Sequence, residues 1–221
     1  MTLETIEGQT GENPVASIVV LHGLGADGND FVPIAQQLDL SSVGPVRFVF
    51  PNAPVRPVTI NNGYAMRAWY DILGPGRPED EAGLRAAVAE VLALLDREAA
   101  LGIPPERTVL MGFSQGCAMT LLTGLRAPRR LAGLAGLSGY LPLFATTAAK
   151  RSSANADVPL FLAHGRDDPV VSIDRGIASR DALVALGYPI EWHDYPMEHS
   201  VCPEEIDDLN LWLLKVLAAP Q

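Results

Sequence analysis

The sequence predicts an α/β fold with a mostly parallel central sheet and helices on both faces. Two observations carry this expectation. Short apolar runs alternate with longer amphipathic stretches along the chain, and strand–helix alternation of this kind calls for parallel strands joined by crossover helices. The first long run, VASIVVL, is apolar and β-branched at its centre, as expected of a strand covered on both faces. No internal repeat, low-complexity block or interdomain linker breaks the pattern, so residues 1–221 read as a single domain.

The elements follow in order. Residues 15–21 (VASIVVL), 46–50 (VRFVF), 108–111 (TVLM), 131–137 and 158–163 (VPLFLA) are strand candidates. Residues 190–195 (IEWHDY) alternate apolar and polar side chains, which suits a strand nearer an edge. A short helical pattern covers 30–38. A long one covers 81–101, with Leu84, Val88, Val91, Leu92 and Leu95 at helical spacing and Gly102 just past its end. The helix over 115–126 stops before Pro128, that over 172–186 ends at Gly187, and 203–217 carries Ile206, Leu209, Leu213 and Val216 on one side. Residues 51–78 resist assignment, being rich in proline and glycine yet holding Tyr64, Met66, Trp69 and Tyr70. A long irregular insertion in a compact domain is commonly functional or mobile.

Composition narrows the function. With 48% hydrophobic residues, the chain can bury a sizeable core. Sixteen basic against 26 acidic residues give a formal charge of -10. That disfavours nucleic acid, whose binding rests on neutralised phosphates, and electrostatic docking on anionic membranes. Cys117 and Cys202 are far apart and lack metal-ligand spacing, so they read as buried reduced thiols. The N-terminus is acidic where a signal peptide needs a basic region. No run of about 18 apolar residues could span a bilayer. A soluble, cytoplasmic protein is expected.

The chemistry centres on Gly112-Phe113-Ser114-Gln115-Gly116. By chance alone, Gly-x-Ser-x-Gly occurs in roughly one chain in fifteen of this size. Its setting makes it specific. TVLM reads as strand and QGCAMTLLTGL as helix, the strand–turn–helix context of a nucleophile elbow. A serine hydroxyl needs a base to take its proton as it attacks, and in this arrangement the order is Ser, then Asp or Glu, then His. Of His22, His164, His193 and His199, only the last two follow a plausible acid. His193 lies inside a predicted strand, where a packed role fits better; His199 falls in the loop after it and is favoured as base. Asp167 and Asp168 both follow the strand over 158–163, and the residues alone leave that choice open. Gln115, the residue after the nucleophile, would supply one oxyanion N–H. Glycines 23, 25 and 28 in LHGLGADGND let the backbone turn inward and make Leu24 the second donor.

Seven stretches in order, LHGLGADGNDF, FPNAP, WYDI, GFSQGCAM, LSGYLP, HGRDDPVV and HSVCPEEI, resemble the carboxylesterase and acyl-protein thioesterase family of α/β-hydrolases. The likeness runs from about residue 15 to 217 and looks closest to the bacterial carboxylesterases. It implies an α/β-hydrolase fold without a large separate cap, Ser114 as nucleophile, Asp168 as acid, His199 as base, and the Leu24 and Gln115 amides as oxyanion donors. It also implies that the segment ending in Trp69 borders an acyl-binding cleft walled by Leu24, Met66, Trp69, Ile72 and Leu73. No metal or cofactor is implied. Glu198 departs from the family pattern, which has a glycine or neutral residue before the histidine; a side chain pointing into solvent is the preferred reading.

The expected activity is hydrolysis of short- to medium-chain carboxylic esters through an acyl-enzyme. A thioesterase or lysophospholipase for longer acyl chains is the alternative. A non-catalytic binding protein on the same fold would show a broken triad, and here every position is filled. The expected partner is a small-molecule ester or acyl substrate. Exposed apolar residues beside the cleft could mediate a homodimer, though no sequence feature demands one.

Overall fold

The computed structural model describes residues 3–218, so both ends of the expected 1–221 unit lie outside the described residues. The strands are β1 (Thr5–Gln9), β2 (Ala16–Leu21), β3 (Val46–Pro51), β4 (Val55–Val58), β5 (Tyr64–Arg67), β6 (Thr108–Phe113), β7 (Gly133–Leu137), β8 (Leu160–Gly165) and β9 (Ile190–Tyr195). The helices are α1 (Val32–Ala35), α2 (Glu81–Ala100), α3 (Gln115–Gly124), α4 (Thr147–Lys150), α5 (Ile173–Ala185) and α6 (Pro203–Val216). Seven strands form one sheet in the order β1-β3-β2-β6-β7-β8-β9. Every pairing in it is parallel except β1 with β3.

The apolar strands divide their side chains between two cores, because successive residues of a strand face opposite ways. In β2, Val19 and Leu21 join one core with Leu84, Val91, Leu122 and Leu183 of α2, α3 and α5. Ala16, Ile18 and Val20 join the other, with Leu209, Trp212 and Leu213 of α6. All ten residues of α3 are buried, so the helix that follows Ser114 is enclosed on every side. No separate cap stands over the sheet among the described residues, as expected.

Four features differ from the sequence expectation. β1 was not anticipated: TIEGQ is polar and half-exposed, and it becomes a strand by pairing with β3. The segment 51–78 is less irregular than expected, since β4 and β5 form a hairpin through Asn62 and Gly63, both at positive φ. The expected helix over 30–38 shrinks to a 3-10 turn, Gly28–Phe31, followed by the four residues of α1. Both cysteines are free, but only Cys117 is buried; Cys202 sits half-buried at the N-cap of α6. Burial pushes the Cys117 thiol up to about 12.

Candidate active site

Ser114 stands between β6 and α3 at φ 56°, ψ −115°, a conformation that costs a non-glycine residue on the order of 1–3 kcal/mol. The surrounding packing holds it there. A Cβ on Gly112 would meet the backbone carbonyl of Gly116, and one on Gly116 would meet the carbonyl oxygens of Leu21 and His22. The two glycines of the motif therefore let α3 start in contact with its own strand and with β2. The turn lifts the Ser114 side chain from the sheet's carboxyl edge.

Two further loops reach the serine. His199, after β9, has Nε2 2.8 Å from Ser114 Oγ and Nδ1 2.6 Å from Asp168 Oδ2. Asp168 Oδ1 accepts from the backbone N–H groups of Val170 and Val171, both at 2.8 Å, and its side chain is wholly buried. A carboxylate only accepts, so His199 carries its proton on Nδ1 and presents a bare Nε2 to the hydroxyl. His164 lies beneath, with Nε2 donating to the Val171 carbonyl at 2.8 Å and 3.4 Å from Asp168 Oδ2. Gly165 admits the histidine loop, because a Cβ there would strike the carbonyls of Met197 and Glu198. Asp167 is exposed. His193 stacks on Phe161 and Tyr195, between Glu191 and Asp208, away from the serine. Glu198 is exposed and forms no ion pair among the described residues.

The loop after β2 closes the third side. Gly25 sits at φ 78° and its N–H donates to the Arg67 carbonyl at 2.9 Å. Neither Leu24 N–H nor Gln115 N–H donates to a protein acceptor among the described residues. His22 anchors the loop: Nδ1 donates to the Gly23 carbonyl at 2.7 Å, and Nε2 accepts from Ala53 N–H at 3.0 Å. Burial holds its pKa below the usual range, consistent with an imidazole that must keep Nε2 unprotonated.

A cleft of about 490 Å³ opens at Ser114, lined in part by Leu24, Ile60, Tyr70, Ile72, Tyr140 and Val171. Of the expected walls, Leu24 and Ile72 line it and three do not. Trp69 is wholly buried, its indole N–H donating to the His22 carbonyl at 2.9 Å behind the site. The Met66 thioether is turned to the Asn61 amide, 3.4 Å away, and Leu73 is not among the lining residues. Sequence reasoning missed Tyr70, Tyr140, Val170, Val171 and Arg175 as lining residues. It also missed the Gln115 side chain as the link to Trp69 and Tyr70. LSGYLP and HGRDDPVV contain three of these residues, yet nothing in their spacing marks a wall. No group of three or more metal-ligating side chains clusters among the described residues, and no helix there is long and apolar enough to cross a membrane.

Residues 3–217 match the phospholipase/carboxylesterase family. The chain is 43% identical to acyl-protein thioesterase 1 of Mycosarcoma maydis, over 97% of this chain and 96% of that protein. Among solved structures it is similar to Arabidopsis thaliana SOBER1, with a TM-score of 0.86, 35% identity, and 91% and 99% of the two chains covered. Zea mays acyl-protein thioesterase 2 also gives a TM-score of 0.86, at 32% identity over 97% and 99% of the chains. The expected leaning towards bacterial carboxylesterases is not supported, since relatives at 38–43% identity, from Mycosarcoma maydis, Yarrowia lipolytica and Cryptococcus neoformans, are fungal acyl-protein thioesterases. With the match running almost end to end, the chain belongs to the phospholipase/carboxylesterase family of α/β-hydrolases and is a hydrolase of carboxylic esters or thioesters.

Proposed function

We propose that the chain hydrolyses acyl thioesters and esters with longer acyl chains through an acyl-enzyme on Ser114. The observation that carries the chemistry is the pair of hydrogen bonds at His199, Nε2 accepting from the Ser114 hydroxyl at 2.8 Å and Nδ1 donating to Asp168 Oδ2 at 2.6 Å. His199 takes the hydroxyl proton as Ser114 attacks the acyl carbonyl. Asp168 holds the imidazole in the required tautomer and stabilises its cation. The Leu24 and Gln115 amides receive the developing oxyanion, each such donor contributing about 3–4 kcal/mol. His199 then protonates the departing thiol or alcohol. Water attacks the acyl-enzyme with His199 again as base, releasing the acid and restoring the serine.

The preference for longer chains over the short- to medium-chain esters expected from sequence is supported by the identity to acyl-protein thioesterases and by the apolar walls of the cleft. A buried methylene contributes at most about 0.8 kcal/mol, so kcat/KM should rise by up to about fourfold per added methylene until the cleft is full. The experiment is a chain-length series of p-nitrophenyl esters and acyl-cysteine peptides, run on the wild type and on Ser114→Ala. Turnover should climb beyond butyryl, and Ser114→Ala should abolish it with the fold intact. Rates that peak at acetyl or butyryl overturn the chain-length reading; a Ser114→Ala variant with wild-type rates overturns the nucleophile.

A further inference from the structure

Arg175 is the only charged side chain among the residues lining the cleft. It is the third residue of α5, just beyond the loop that carries Asp168. Its guanidinium carbon lies 3.6 Å from the centroid of the Tyr140 ring, close enough for a cation–π contact that fixes the plane of the group. Stacking occupies a face of the guanidinium and leaves its N–H edge free. That edge meets no carboxylate: Arg175 forms no salt bridge among the described residues, in a chain with 26 acidic and 16 basic residues. Nor does helix electrostatics call for it, since a cation in the first turn opposes the helix dipole.

The platform beneath Arg175 is tied to the nucleophile. The Tyr140 hydroxyl lies 2.9 Å from that of Tyr70, whose ring is buried and whose carbonyl accepts from Gln115 Nε2 at 2.9 Å. Tyr140 follows Gly139, where a Cβ would sit 2.8 Å from the Ser114 carbonyl oxygen. The planar cation is thus fixed in the wall of the same cleft by a short chain of contacts from Ser114.

From this geometry we infer that Arg175 forms an anion subsite, so that the preferred acyl ester or thioester carries a carboxylate or phosphate. The inference rests on the cleft being the hydrolytic site. A guanidinium edge recognises such oxyanions through charge-assisted, bidentate hydrogen bonds. The anion can sit at the far end of the acyl chain or on the leaving group.

Two matched substrate pairs separate these sources. Mono-p-nitrophenyl adipate against p-nitrophenyl hexanoate places the charge on the acyl side. 1-Hexanoylglycerol 3-phosphate against 1-hexanoylglycerol places it on the leaving group. In the wild type, kcat/KM for the charged member should exceed that of its neutral partner in one pair, and the advantage should shrink as salt is raised. Arg175→Gln should lower that charged-to-neutral ratio about 10- to 100-fold, with Arg175→Lys in between, because it keeps the charge and loses the planar stack. A ratio at or below one in both pairs for the wild type, or a ratio unchanged in Arg175→Gln, overturns the subsite. Failure of the wild type on the neutral esters as well as the charged ones instead overturns the hydrolytic reading, so the two failures are distinct.

Discussion

The Gln115 side chain joins the start of α3 to the segment that borders the cleft, accepting from Trp69 N–H at 2.8 Å and donating to the Tyr70 carbonyl at 2.9 Å. Both bonds are buried, and the amide uses its two ends on two consecutive residues. The Gln115 backbone N–H is also one of the proposed oxyanion donors, so a single residue sets the donor and the wall facing it.

Gln115→Ala removes both bonds and leaves a buried N–H and a buried carbonyl without partners, each costing about 1–3 kcal/mol. The variant should lose about 2–6 kcal/mol of unfolding free energy and so unfold at lower denaturant. Its kcat/KM should also fall about tenfold as the Tyr70 wall loosens. An unchanged unfolding midpoint would contradict this role, and rates unchanged at lower stability would confine Gln115 to the fold.

Asp167 and Asp168 are neighbours with opposite expectations. Asn at 168 can keep its carbonyl oxygen on the Val170 and Val171 N–H groups while turning its amide NH2 towards His199. That forces the imidazole to protonate Nε2, the wrong tautomer for a base. Asp168→Asn should lower kcat about 10³- to 10⁴-fold. Asp167→Asn, on an exposed side chain, should stay within about twofold of wild type. Parallel kinetics on one p-nitrophenyl ester decide it, and equal losses in both variants would defeat the assignment.

This pair also marks where the sequence stops being legible. The elbow's two glycines are readable because sterics impose them: a Cβ on Gly112 or Gly116 would run into backbone carbonyls, so a turn this tight keeps glycine at both places and frames Ser114 between them. His199 is readable from its place after β9 and before α6. The aspartate is not, because the outcome depends on which carboxylate the turn around Pro169 wraps with its amides, and that is set by backbone direction. Cleft walls are harder still. Ile72, Tyr140, Val171 and Arg175 come from separate loops and a helix end, so no periodicity connects them. Trp69 misleads in the other direction, since an aromatic residue in a loop near the site is as able to support it from behind. β1 escapes notice because an edge strand with one open face carries little apolar signal.

Glu205 supplies a prediction away from catalysis. It lies in the first turn of α6 and is fully buried, and neither carboxylate oxygen meets a side-chain donor among the described residues. Burial raises its pKa from 4.5 to about 8. An acid whose folded pKa exceeds its unfolded one binds its proton more tightly in the native state, so stability falls as pH rises between the two values. From about pH 4.5 to 8 the native state must either hold that proton or bury a charge, at a growing cost of a few kcal/mol by the upper end. Glu205→Gln keeps the shape and removes the titration. Its unfolding free energy should match wild type near pH 5 and exceed it by about 2 kcal/mol or more at pH 8.5. Urea midpoints taken at both values test this. A wild-type curve as flat as the variant's between them would mean that Glu205 finds a partner for its charge.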